Sequence, residues 1–566
     1  MHNSPNLLLC FITGISLCLY TSCKSTVDEI LPTENGAILN FNVTGIDEIV
    51  VNSMATFRAN GSQIIQSNVR PETATPTPMQ TLQSLENVDV FTSAALISEE
   101  NRVSPAATSN NAVNGARSSV APRASTAPMN SGIRYRIIIF NQDNTLVVNR
   151  VATAGTNPEI RVDGHRNYTW YALSVNETNA QVPDMNAAGI VAKAGLVNKD
   201  VLYASGNIST VDGDNYLQIV FRRLTARYRV KLDVRGLFGS VTGNTSLSLM
   251  KNANNTGLIT MGDLDIRTAA FSSVERYPNT VVLNAQMSNV PNTPAGTTKY
   301  ADFHTLDTDP ITANNLKVRT NQLDISRDDN SIRSDTSPKT ASYSNAYSPR
   351  IGATYELILG MVEQPVRVRN ILWARTNLTY NSNSADPYRL KTSPGGSRSA
   401  DRDTDYWNWM SATPTAASGN TDPCTLIYPN GTWRMPTSQE WQSLGTTPDE
   451  RAHQAFFLWG AQFAYIWNLQ NDSPNEAYDV NNLFIAFGGY RNTSGTLSAV
   501  PSGIATIGSG GCHYWSSTPV NNNQATAFTS SYSTAAFWFS WGNINYAAES
   551  KAEGRNIRCV RQVSYN

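Results

Sequence analysis

Tyr216–Val234 reads YLQIVFRRLTARYRVKLDV, two strand-like runs. A period of two is the signature of a half-buried strand, so this stretch predicts two consecutive strands. Upstream, Ile133–Phe140 (IRYRIIIF) alternates and then turns wholly apolar, and Asn167–Val175 (NYTWYALSV) repeats the pattern. Asn, Gly and Asp turn residues separate these runs, as in a β-sandwich. A second β block is expected from about 229 to 365, closing with Arg350–Met361 (RIGATYELILGM). Neither block carries a helical period of useful length. Asp307–Ala346 is so polar that it is expected to be loop. Ala37–Val51 (AILNFNVTGIDEIVV) reads as a strand or hairpin arm whose partners must lie far along the chain.

The chain has 566 residues, enough for several domains of about 150 residues each. Lys and Arg number 43 against 44 Asp and Glu, a net charge of −1, which argues against a nucleic-acid partner held through phosphates. Of 11 Trp, Trp170 stands alone before Trp373 and ten crowd between Trp373 and Trp541, marking a change of domain.

Leu7–Tyr20 (LLLCFITGISLCLY) is too short for an ordinary membrane helix and reads as a signal peptide spanning 1–22. Thr21, Ser22 and Cys23 follow it and resemble the lipobox of bacterial lipoproteins, which implies lipidation of Cys23 and an outer-membrane anchor. Secretion without lipid is the other reading of the same residues. Past Cys23 three cysteines remain, Cys424, Cys512 and Cys559, so an oxidising compartment permits one disulfide and leaves one thiol. Of residues 103–132, 24 of 30 are Ala, Ser, Thr, Asn, Pro or Gly, which cannot build a core and reads as a linker. Arg102, Arg117 and Arg123 in and beside it are candidate sites for a trypsin-like protease, whereas Pro71 protects Arg70.

The order IRYRIIIF, NYTWYALSV, DVLYAS (Asp200–Ser205) and YLQIVFRRLTARYRVKLDV resembles the fimbrillin superfamily of Bacteroidetes pilus proteins, over roughly 24–365. That resemblance implies two transthyretin-like sandwiches and a lipoprotein precursor. It also implies cleavage after an Arg, which removes the first strand and opens a groove for a donor strand from a neighbouring pilus subunit. A sandwich lacking that strand exposes main-chain groups and an apolar slot together, which is what an incoming extended segment needs.

From about 366 the composition shifts to Trp, Tyr, Gly and Asn. In Gly431–Trp441 (GTWRMPTSQEW), Thr437 and Glu440 form a capping box, so a helix starts there with Trp441 and Leu444 on its inner face. ILWARTNLTY (Ile371–Tyr380), DPC (Asp422–Cys424), WRMPTSQEW, GGYRNTSG (Gly488–Gly495), YWSS (Tyr514–Ser517) and RNIRCVR (Arg555–Arg561) together resemble exported domains related to the C-type-lectin-like fold. The resemblance implies a Cys424–Cys559 disulfide, with Cys512 left as a buried thiol. The Glu-Pro-Asn, Gln-Pro-Asp and Trp-Asn-Asp tripeptides of calcium-dependent lectins are missing, and Asp401, Asp403 and Asp405 lack the Gly and Glu of an EF-hand. Asp472, Asn475, Glu476 and Asp479 are solvated loop residues more simply than a cation site, so no metal is expected. His453 and His513 stand in no ligand spacing, and neither a nucleophile elbow nor a phosphate loop is present, so no catalysis and no cofactor are expected. Most tryptophans are expected in the core; Trp407 and Trp409, in the polar stretch DYWNWMS, are the candidate ligand-stacking aromatics.

The expected molecule is mostly β: a signal peptide (1–22), an N-terminal strand segment with its linker (23–132), β-sandwiches over 133–228 and 229–365, and an α+β C-type-lectin-like domain over 366–566. The expected function is an accessory or tip pilus subunit, lipid-anchored in the outer membrane, that accepts a donor strand and binds a glycan or protein ligand. With seven residues after Cys559, it is expected to accept a strand rather than give one. The alternative is a surface lipoprotein that binds glycan or protein and never polymerises.

Overall fold

The computed structural model describes residues 36–48, 83–85, 88–96, 125–178, 181–327, 330–392, 403–414, 416–454, 462–467, 482–500, 507–535 and 538–562. The N-terminal segment supplies β1 (Gly36–Glu48), β2 (Gln83–Leu85), β3 (Val88–Leu96) and β4 (Ser125–Ala127). There follow β5 (Arg134–Asn141), β6 (Leu146–Thr153), β7 (Glu159–Asp163), β8 (Asn167–Ser174), β9 (Ile190–Val191), β10 (Leu202–Ser209) and β11 (Gly213–Arg223).

Strands β4-β1-β11-β10-β8-β5-β6 form one sheet, with β7 also on β1. It turns over at β10–β11, where Leu202 faces Arg223 and Tyr203 faces Arg222. Apolar side chains from both halves then meet: Leu39, Phe41, Leu217 and Ile219 from one, Ile137, Ile139, Trp170 and Ala172 from the other. Strand β1 is interior. It runs parallel to β11 from Ala37–Gly213 to Asp47–Arg222, with a register shift between Val43 and Gly45. Its other edge pairs with β7 over Gly36–Asn40 and with β4 over Ile46–Glu48.

The second sandwich uses β12 (Ala226–Gly236), β13 (Gly239–Lys251), β14 (Thr256–Gly257), β15 (Thr260–Asp265), β16 (Ala270–Arg276), β17 (Val282–Leu283), β18 (Ser288–Asn289) and β19 (Thr298–Thr305). It is completed by β20 (Leu316–Arg327), β21 (Ile332–Asp335), β22 (Lys339–Tyr343) and β23 (Thr354–Glu363). One sheet runs β18-β19-β12-β23-β3-β2; the other is β14-β13-β20-β21, with β17 on β13 and β22 on β20. Tyr228, Val230, Leu357 and Leu359 from the first and Leu247, Leu249, Val318 and Ile325 from the second fill the core. The β15–β16 hairpin leans back on the first sandwich, where Met261, Leu264 and Ile266 meet Ile138, Phe140 and Leu173.

Two expectations are corrected. Asp307–Ala346 is not loop throughout, because β20, β21 and β22 lie within it. Leu316, Val318 and Thr320 point inward while Lys317 and Arg319 are half-exposed, so a true period of two was hidden by polar outward residues. The segment ahead of the linker also carries more than one strand, since β3 pairs antiparallel with β23 from Val88–Glu363 to Leu96–Tyr355.

In the last third, α1 (Ser438–Ser443) begins at the Thr437 cap: Thr437 Oγ1 accepts from Glu440 N (3.2 Å) and Glu440 Oε2 accepts from Thr437 N (2.7 Å). Trp441 and Leu444 are buried, Trp441 stacking on Phe528 with ring centroids 4.8 Å apart. Long antiparallel strands span Ile507–Pro519 and Gln524–Ala535. Short Val560–Arg561 pairs with Trp373 and with Trp433–Arg434, which draws the two ends of this third together.

Phe41 is fully buried and meets Trp170 edge-on at 6.1 Å. Phe41→Ala is expected to destabilise the first sandwich by about 3–5 kcal/mol, measured as a lower urea midpoint for that transition.

Candidate functional site

The strand-bearing slot of the first sandwich is built by β11 on one side and β7 with β4 on the other, and β1 lies in it. Alternation along β1 sends Ala37, Leu39 and Phe41 into the core, and Ile46 follows beyond the register shift, while Asn42 and Thr44 face outward. Burying each of the larger side chains contributes about 1.5–3 kcal/mol. Polar ties along β1 include Asn40 Nδ2 donating to Asp214 Oδ1 (3.1 Å), Asn40 Oδ1 accepting from Asn157 Nδ2 (2.7 Å) and Thr44 Oγ1 donating to the Ile219 carbonyl (3.1 Å). The slot is therefore shaped for an extended segment of small and large apolar residues. Cys23 and the candidate cleavage residues Arg102, Arg117 and Arg123 lie outside the described residues.

A charged cluster marks the passage from the first sandwich to the second. Asp200, from the DVLYAS element, receives Arg223 Nε at 2.6 Å and Arg223 Nη2 at 3.0 Å, and Asn176 Nδ2 at 2.9 Å. His304 Nδ1 stands 3.7 Å from Asp200 Oδ1 and 3.4 Å from Thr225 Oγ1. Beside them a cavity of about 310 Å³ is lined by Lys199, Arg227, Arg229 and Asp302 among others. Lys199 pairs with Glu177 (2.7 Å) within the first sandwich and Arg229 with Asp302 (2.7 Å) within the second, so these charges are already matched on either side, and His304 beside Asp200 is the contact that crosses. This is a clamp between sandwiches, and its geometry assigns Asp200 a structural task.

Burial pushes His304 down to about 4, against the pull of Asp200 and Asp302 and with further lowering by Arg223 and Arg227. Burial alone would raise Asp200, but Arg223 and His304 outweigh it and hold the carboxyl well below its ordinary range. The unfolded chain therefore binds a proton at the His304 position between about pH 6.5 and 4 that the folded chain refuses. The resulting stability is full above pH 6.5 and is lost as pH falls toward 4. The Asp200 contribution acts in the same direction at lower pH. The urea midpoint is expected to fall from pH 7 to 4.5, and His304→Gln is expected to flatten that slope.

In the last third, Cys424 and Cys559 are joined by a disulfide, with Cα atoms 5.9 Å apart across a sequence separation of 135. In the chain-entropy model such a closure stabilises by about 4–5 kcal/mol. Cys512 is buried and burial drives its thiol well above the ordinary range, which makes it an unreactive packing residue. An alkylating reagent is expected to label Cys512 in the denatured chain and to leave it unlabelled in the folded one.

Trp407 and Trp409 are not surface aromatics: they are 0% and 8% exposed. Trp407 exchanges two backbone hydrogen bonds with Arg555 (both 2.9 Å) and stacks on Tyr388, with Trp515 Nε1 donating to its carbonyl at 2.7 Å. Trp409 Nε1 donates to the Ser516 carbonyl (2.9 Å), and Lys551 Nζ caps its ring at 4.2 Å. The polarity of DYWNWMS misled because its charge turns inward, Asp405 being buried against Lys391 at 3.0 Å. Asp472, Asn475, Glu476 and Asp479 lie outside the described residues. Among the described residues no group of three or more His, Cys, Asp or Glu is placed to hold a metal.

Asp89 on β3 was not singled out from sequence. Its Oδ2 lies 2.8 Å from Arg561 Nη2, and neither side chain is exposed to solvent. VDVF at Val88–Phe91 alternates, and that period was the available signal for the strand.

No family model matches the chain, and no curated protein matches it. Solved structures show partial likeness. A candidate cell-adhesion protein of Bacteroides fragilis is 12% identical, covering 44% of this chain and 92% of its own, with a TM-score of 0.28. The fimbrial anchor protein Mfa2 of Porphyromonas gingivalis is 14% identical, covering 38% and 77%, with a TM-score of 0.19. A fimbrial assembly protein of Parabacteroides distasonis is 13% identical, covering 40% and 82%, with a TM-score of 0.20. Likeness at these scores describes a part of the chain and carries no function with it.

Proposed function

We propose that the chain is an accessory or tip subunit of a surface pilus, a non-catalytic outer-membrane lipoprotein anchored at Cys23. A cut at Arg102, Arg117 or Arg123 frees β1 for replacement by a strand from a neighbouring subunit. On this reading the two sandwiches are transthyretin-like and fimbrillin-like. Residues 366–566 form a C-type-lectin-like domain that meets a glycan or protein ligand. No nucleic acid and no cofactor take part.

The observation that carries this function is the position of β1. It is an inner strand, yet it comes from the chain ahead of the Arg-bearing stretch, about 175 residues from its partner β11. Its loss uncovers main-chain groups on β11 and on β7 and β4, together with the apolar floor under Leu39 and Phe41. A replacement strand regains both the hydrogen bonds and the burial in one step. Ligand contact in the last third falls to residues other than Trp407 and Trp409, and with a net charge of −1 it depends on shape and hydrogen bonds.

A free-standing surface lipoprotein is the second possibility, favoured by the buried Asp89–Arg561 pair, which ties the N-terminal segment to the end of the chain. Purified fibres separate the two. In the pilus function the chain is found in sheared fibres with its N-terminus at Val103, Ser118 or Ala124. Confinement of an uncut chain to the membrane fraction, with no new terminus after Arg102, Arg117 or Arg123, contradicts it.

A further inference from the structure

We infer that β3, held by Asp89, is the retention element of the N-terminal segment: a cut between 97 and 124 frees β1 for exchange but leaves the severed segment bound to the body. This deepens the strand-acceptor function and rests on it for the role of the cut. If Cys23 carries lipid, a cleaved subunit then stays attached to its anchor without a covalent link.

Asp89 enters the second sandwich on β3 and meets Arg561 at 2.8 Å, across 472 residues of sequence. Arg561 Nη2 also donates to the Glu363 carbonyl at 2.5 Å, and its guanidinium lies 4.1 Å from the centre of the Trp433 ring. Withdrawing β3 takes a buried carboxylate away from this buried guanidinium, and breaking such a pair by removing one partner is costly. Fit adds to charge. Phe91 lies over Gly360 of β23, where a Cβ would come within 1.9 Å of the ring, so that place is carved for an aromatic residue. Val88 and Val90 are buried in the core. Gln83 holds Ser342 of β22 from both sides, through Nε2 to its carbonyl (2.7 Å) and Oε1 from its N–H (3.0 Å), and Thr92 Oγ1 donates to the same carbonyl at 2.9 Å. A foreign strand beside β23 would need a carboxylate and an aromatic residue two positions apart. The β1 slot asks only for apolar alternation.

The test uses the full chain with a specific-protease site placed after Arg117. After cutting, size-exclusion chromatography follows whether the N-terminal fragment stays with the body, and hydrogen exchange follows residues 88–96 in the uncut chain. Wild type is expected to keep the fragment. Asp89→Asn is expected to speed exchange of 88–96 by about a hundredfold or more, and to release the fragment once a peptide copying β1 has displaced β1. The Asp89→Asn/Arg561→Met double variant, which removes both charges, is expected to recover retention and slow exchange. Release from wild type as fast as from Asp89→Asn, or a double variant no better than the single, overturns the inference. A labelled peptide GAILNFNVTGIDE, copying Gly36–Glu48, is added in parallel. Its uptake without loss of the fragment is the expected result. Its exclusion from cut wild type, with the fragment retained and the Asp89 effect intact, contradicts strand exchange and leaves retention standing.

Discussion

The pairing of the first described strand with β11 is the constraint on which the first sandwich depends. Parallel neighbours cannot be joined by a tight turn, so β1 reaches its place only after the chain has travelled away and the body has returned to meet it. The core on either side assumes its presence, since Leu39 and Phe41 pack directly among Ile137, Trp170 and Ile219. An element of such low sequence proximity and such central position is costly to form.

The same segment makes a second and different attachment through β3. Where β1 is held by burial and main-chain bonds, β3 adds a buried charge, Asp89, whose partner Arg561 lies far along the chain. Removing one partner of such a pair costs about 3–5 kcal/mol, whereas burial of apolar surface discriminates little among strands of similar pattern. Together with the Asp200–Arg223 pair at the junction and Arg561 against Trp433 in the last third, this makes several buried charges internal fasteners.

Much of the fold was legible. Runs such as IRYRIIIF and YLQIVFRRLTARYRVKLDV announce strands, and Thr437 with Glu440 announces α1 by capping chemistry. Sheet order and the parallel sense of β1 were not, because alternation states which side chains share a face and says nothing of the neighbour. Polar outward residues concealed β20 to β22, whose inward Leu316, Val318 and Ile325 are separated by Lys, Arg, Asn and Gln. Trp407 and Trp409 were misplaced for the converse reason: their polar neighbours are bonded inward, and local composition does not distinguish a buried pair from a wet surface. Asp89 stayed hidden because its meaning depends on Arg561, a contact that no local pattern encodes.

The placement of β1 in register beside β11 is tested most directly by a paired substitution, Asn42→Cys with Gln218→Cys. These outward-facing residues are Cα partners in the parallel ladder. Mild oxidation is predicted to join them within one chain, so that a proteolytic cut between residues 97 and 124 leaves the N-terminal fragment attached on a non-reducing denaturing gel. A fragment that separates under those conditions, with the oxidised thiols paired between molecules or not at all, would contradict the placement of β1 and the strand-acceptor function built on it.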